Sequence, residues 1–107
     1  GIENTDIVRA RVIKARKIQE KRFKNHKRAI DTNSDMNARD IGNLITLDEK
    51  ITKTLNTSAE RLGLSGRAYH RVIKLARTIA DLDGAENINE SHVLEAIQYR
   101  PKQLQSV

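Results

Sequence analysis

Between Ser65 and Leu82 the chain carries a helical pattern too broad for a surface helix. Ala68, Tyr69, Val72, Ile73, Leu75, Ala76, Ile79, Ala80 and Leu82 occupy one contiguous half of a helical wheel. Arg67, His70, Arg71, Lys74, Arg77, Thr78 and Asp81 occupy the other half. An apolar arc that wide must be covered by two or more neighbours, so the rest of the chain has to fold around this helix. Ser65 reads as its N-cap and Asp83-Gly84 as its end. The only proline is Pro101, and alternating β-branched patterns are scarce. The covering elements are therefore expected to be helices too.

The expected fold is an all-α, small bundle of about four helices in a single domain covering residues 1–107. A first helix is read at about 5–25, with Val8, Val12, Ala15, Gln19 and Phe23 on its apolar stripe. Gln19 interrupts that stripe, which calls for a buried hydrogen-bond partner. Residues 25–37 have no period and hold Asp31-Thr32-Asn33-Ser34-Asp35, so they read as a mobile loop. The remaining bundle, about 38–100, opens with a short apolar piece at Ile41, Leu44 and Ile45. A second helix is placed from Thr46, with Thr46 and Glu49 as a capping box, and ends at Gly63. Its buried stripe is Leu47, Ile51, Leu55, Ala59 and Leu62. The last helix starts at Asn89, uses Val93, Leu94, Ala96 and Ile97, and stops before Pro101.

Charge is unevenly placed. Residues 1–30 hold ten Lys/Arg against three Asp/Glu, and the remaining residues ten against eleven. The basic character belongs to the first helix, where Arg9, Lys14, Lys17, Lys21 and Lys24 are candidate contacts to nucleic acid. A solvated face or an acidic protein neighbour accounts for them equally well. With three aromatic residues, Phe23, Tyr69 and Tyr99, a stacking platform for single strands is poorly supplied. The chain has no Cys, no apolar run of membrane-spanning length and no signal-peptide pattern, which fits a cytoplasmic protein with no membrane partner. The opening Gly1-Ile2-Glu3-Asn4, without Met, suits a processed chain or an excised fragment.

Catalytic machinery is not legible. No G-x-x-x-x-G-K-[ST] run is present. His26, His70 and His92 are far apart and read as surface residues, so no metal site is expected. Ser65, His70 and Asp81 make a poor triad, because Ser65 already has a capping role. Arg77 and Asp81, four apart, read as a simple surface pair. The residue that stands out is Arg67. A cation in the first turn of a helix is disfavoured by about 0.3–1 kcal/mol, and an anion bound there would remove the penalty.

The run from Glu60 to Leu82, ERLGLSGRAYHRVIKLARTIADL, resembles the C-terminal region of magnesium-chelatase-like AAA+ ATPases of the ComM/YifB type. The run from His92 to Arg100 continues the resemblance. Arg11-Val12, Ala15-Arg16 and Gln19 resemble that family's R-V-x-x-A-R-x-x-Q helix, and Asn37-Ala38 its N-A step. The resemblance implies a helical lid behind an ATPase core, not an enzyme on its own. Arg67 would stand at the sensor-2 position, which reaches the γ-phosphate of ATP. ATP and Mg²⁺ would be held by the upstream core and not by this piece alone. The implied partners are that core, neighbouring subunits of a hexamer, and DNA. Gly66 departs from the family's small residue, often Ala, and Gly weakens the first helical turn.

Overall fold

The computed structural model describes the backbone of residues 5–105 and the side chains of residues 5–99. Its elements are α1 (Thr5–Phe23), α2 (Ala38–Leu44), α3 (Glu49–Leu62), α4 (Gly66–Leu82) and α5 (Glu90–Gln105), with a single 3₁₀ turn at Asn33–Asp35. The fold is all-α, with no strand among the described residues. The helices number five because the short apolar piece is itself a helix, α2. Asn37 caps it: the Asn37 Oδ1 accepts from Asp40 N at 2.9 Å, and the Asp40 carboxylate accepts from Asn37 N at 2.9 Å.

The half-wheel helix, α4, is the hub, packing against α5, α1, α2 and the 3₁₀ turn. Ala76, Ala80 and Ala96 are buried where α4 and α5 meet. Around this seam the core gathers Phe23, Ile30, Met36, Ile41, Ile45, Ile51, Leu55, Val72, Ile73, Ile88 and Val93. The C-termini of α3 and α4 close as Schellman turns. Leu64 N donates to Ala59 O and Gly63 N to Glu60 O, with Gly63 at φ 64°. Ala85 N donates to Ala80 O and Gly84 N to Asp81 O, with Gly84 at φ 70°. Only glycine adopts that backbone without strain, which fixes both chain reversals.

Several sequence expectations need correction. The cap of α3 is Asp48, whose carboxylate accepts from Ile51 N at 2.8 Å, and not Thr46. Asp is the stronger cap, and this start turns Ile51 and Leu55 inward while Leu47 packs from the linker. Leu62, placed on the buried stripe, is exposed. The last helix, α5, continues through Pro101 to Gln105; a proline removes its own donor but does not by itself end a helix. The first helix is buried only at Ala15, Gln19 and Phe23, and every residue from Thr5 to Lys14 is exposed. The bundle beside α1 runs out at the end of α4, where Arg11 Nε approaches Leu82 O at 3.5 Å.

Residues 25–37, read as a mobile loop, carry Ile30, Asn33 and Met36 into the core. Polar side chains from three directions hold the segment down. Lys74 Nζ donates to Ser34 O at 3.0 Å and Met36 O at 3.3 Å. Arg28 Nη2 donates to Asp35 O at 2.7 Å and to the Asp40 carboxylate, which also meets His26 Nε2 at 2.9 Å. These bonds, some within the segment and some from α4, satisfy backbone groups that helix or sheet ladders do not pair.

Candidate functional site at the start of α4 and the basic face of α1

The first turn of α4 is built by Ser65, whose Oγ accepts from Ala68 N at 3.1 Å. One of the helix's leading N–H groups is thereby satisfied. The N–H groups of Gly66 and Arg67 carry no bond among the described residues. Arg67 is exposed and has no ion-pair or hydrogen-bond partner among the described residues. Of its basic neighbours, Arg71 is half-buried one turn on. Lys74 is committed to the carbonyls of Ser34 and Met36, and is a structural residue. The surface that results is one exposed guanidinium, with the half-buried Arg71 a turn further on, beside two open backbone donors at the positive end of a helix dipole. It suits one phosphate group and supplies nothing to grip a base or ribose.

Further along α4, what reads in sequence as a surface pair is the buried centre of the protein. Arg77 is 6% and Asp81 1% exposed. The Asp81 carboxylate takes Arg22 in a two-point clamp, Nη2 to Oδ1 at 2.7 Å and Nη1 to Oδ2 at 2.8 Å. It also accepts from Arg77 Nε at 3.1 Å and Asn33 Nδ2 at 2.8 Å. Asn33 Oδ1 accepts from Arg22 Nη1 at 2.8 Å, and Asn33 N donates to Gln19 Oε1 at 3.0 Å. The remaining Arg77 donors reach Glu86 O and Ala85 O. Burial lowers the pKa of Arg77 and the charge of Asp81 opposes that shift, so the guanidinium stays charged. The partner demanded by Gln19 is thus Asn33. Arg22 and Asn33 gave no sequence signal, since one lies among other cations and the other in a polar run.

The histidines also differ from expectation. His92 is buried: its Nδ1 accepts from Asn89 N at 3.0 Å and its Nε2 lies 3.0 Å from the Asp83 carboxylate. With Asn89 Oδ1 accepting from His92 N at 3.2 Å, the two residues cap α5 reciprocally. Ser65, His70 and Asp81 do not converge. Ser65 caps α4, His70 packs edge-on against Tyr69, and Asp81 holds Arg22. Among the described residues no cluster of three His, Asp or Glu side chains has metal-site geometry. No helix of the described residues is long and apolar enough to cross a membrane.

Arg9, Lys14, Lys17 and Lys21 are exposed on α1 and Lys24 in the turn just after it, and none forms an ion pair among the described residues. The polar contacts between α1 and α4, Arg11 with Leu82 and Arg22 with Asp81, fall in the last turns of α4. Arg67 lies fourteen residues earlier than Asp81, about 21 Å along the helix at 1.5 Å per residue. The basic face and Arg67 are therefore separate surfaces.

A hub helix with this capped start, a leading basic helix and three further helices among the described residues define a small all-α domain. The chain belongs to the family described as magnesium chelatase, subunit ChlI C-terminal, whose model matches residues 2–100. It is 40% identical to the competence protein ComM of Haemophilus influenzae over 98 residues, and 36% and 35% identical to the YifB proteins of Salmonella typhimurium and Escherichia coli over the same length. Each match covers 92% of this chain and 18% of the relative, so the chain spans about a fifth of the relatives' length. No solved structure matches the chain.

Proposed function

We propose that this domain is the nucleotide-sensing lid of a magnesium-chelatase-like AAA+ ATPase. The observation that carries the reading is Arg67, an exposed and unpaired cation in a helical first turn, where folding gains nothing from it. The domain offers one guanidinium and two open N–H groups, so ATP and Mg²⁺ must be held by a preceding core, with Arg67 reaching only the terminal phosphate. Its charge would offset the γ-phosphate, and loss of that phosphate would release the domain to rotate. The parent would work in the cytoplasm as a ring of subunits, a hexamer by the family pattern, in DNA processing.

The test is ATP turnover by the intact polypeptide. Arg67→Ala should lower turnover by about 10²-fold, as for other single charge-stabilising groups, with the domain's thermal midpoint unchanged. Unchanged turnover would remove the sensing role.

A second reading concerns the other surface. Five exposed cations without ionic partners among the described residues, four on α1 and Lys24 just past its end, suit the phosphate backbone of a nucleic acid. Charge reversal at Lys17, Lys21 and Lys24 should then weaken binding of duplex DNA and flatten its dependence on salt. Titration by gel shift at two salt concentrations measures both; if the reversals leave affinity and salt slope unaltered, an acidic protein neighbour is the better account.

A further inference from the structure

The core-facing stripe of α1 does not stop where the core stops. Val8, Val12, Ala15, Gln19 and Phe23 lie on one line along the helix, at steps of three and four residues. The lower three are buried, whereas Val8 is 43% and Val12 37% exposed. The helix nonetheless continues through these turns, its apolar edge overhanging the core while Arg11 meets Leu82 O. A helix end with little apolar cover is marginal in water, and apolar side chains kept in register on it mark a contact surface. Beside the overhang, a mixed groove runs toward α4 and α5, with Leu75, Ile79, Leu82 and Tyr99 on its apolar side, Asp83 and Glu95 among its polar lining, and Arg11 at its edge.

Charge narrows the occupant. Arg9 and Arg16 flank the two valines, are exposed, and have no ionic partner among the described residues. Two copies of this face would set cations against cations, a costly juxtaposition. A phosphate backbone would meet the arginines but leave Val8 and Val12 in water. What fits both features is a protein surface with an apolar centre and an acidic rim.

We propose that the overhanging turns of α1, Val8 and Val12 bordered by Arg9 and Arg16, form the docking surface for the polypeptide that precedes this domain. The relatives are about five times longer than the matched segment, and the family is a C-terminal one, so the preceding chain enters at the N-terminus of α1. A partner tethered that closely acts at millimolar effective concentration, and a small patch is then sufficient. The inference rests on the lid reading, because it needs a preceding core.

Amide hydrogen exchange along α1 tests it, in the intact polypeptide and in the 107-residue chain, each with and without Val8→Asp plus Val12→Asp. Exchange at residues 8–12 should be at least about tenfold slower in the intact protein. The double substitution should abolish the slowing, high salt should weaken it, and the thermal midpoint of the isolated chain should not move. Equal exchange in both forms overturns the proposal, as does slowing that survives the substitution. Slowing that grows with the concentration of the isolated chain assigns the face to a second copy. Slowing that appears only with added DNA assigns it to nucleic acid. Arg67→Ala turnover separates the two readings: loss of turnover with unprotected α1 keeps the lid and removes this docking surface.

Discussion

Asp81 accepts four hydrogen bonds from three side chains and is, among the described residues, the only anion that meets the half-buried Arg22 and the buried Arg77. Its role is to make the burial of Arg77 beside Arg22 tolerable. Removing it leaves a buried cation facing a like charge, and breaking such a set costs about 3–5 kcal/mol. Asp81→Ala is therefore expected to lower the urea midpoint severely, or to prevent folding. Replacing Arg22, Arg77 and Asp81 together by Met, Met and Leu should recover much of the loss, because the desolvation penalty disappears with the charges. Chemical denaturation of both variants checks this, and a mild effect of Asp81→Ala would mean that water reaches the site. Nothing in the sequence distinguishes Arg77 and Asp81 from an exposed i,i+4 pair. Their burial is created by Arg22 and Asn33, both distant in sequence, and helical spacing reports only neighbours on one helix.

At the scale of elements, helices read well and the joints between them did not. α4 was legible from end to end, since its half-wheel, its Ser65 cap and its Gly84 turn are all local signals. The start of α3 was misplaced by two residues, because Thr46 and Asp48 both satisfy a capping pattern and only packing of Ile51 and Leu55 chooses between them. Residues 25–37 look loose in sequence because their anchors are polar side chains with no periodic signature: Arg28 within the segment, Asp40 just past it and the distant Lys74. Arg67 was legible as an oddity of position, while its freedom from partners needed the fold. The first turn of α4 also carries a local weakness in Gly66. A Cβ built there meets nothing within 4 Å, and its φ is not in the left-handed range. Gly66→Ala should stabilise the domain by about 0.4–1 kcal/mol, chiefly by restricting the unfolded chain. In a domain of this size that is a rise of a few degrees, about 4–8 °C per kcal/mol, in the melting temperature. Calorimetry measures it, and a lowered melting point would show that a side chain at this turn is strained within the domain.

The whole molecule is held at its basic end by two polar fastenings of different kinds. The Asp81 set joins α1 to α4 in the interior. The Asp40 set joins the segment that follows α1 to α2, through His26 and Arg28, with the Asn37 backbone closing the cap of α2. The hydrogen bond from Arg28, then that from Asn37, lowers the Asp40 pKa from 3.8 to about 2. A carboxyl with a folded pKa below its unfolded value binds fewer protons in the folded state, so it adds stability above the unfolded pKa and loses it as pH falls. The contribution should be complete above about pH 4 and should vanish as pH drops through about 2. Asp40→Asn removes the titrating group together with its charge. The variant should be less stable than the parent at neutral pH, and the difference should shrink across that acid window until the two converge. Urea midpoints at intervals from pH 7 to pH 2 follow both curves. Parallel curves would mean that Asp40 does not fasten the segment from Asn25 to Asn37 to α2, and that this segment is held by Lys74 and Asn33 alone.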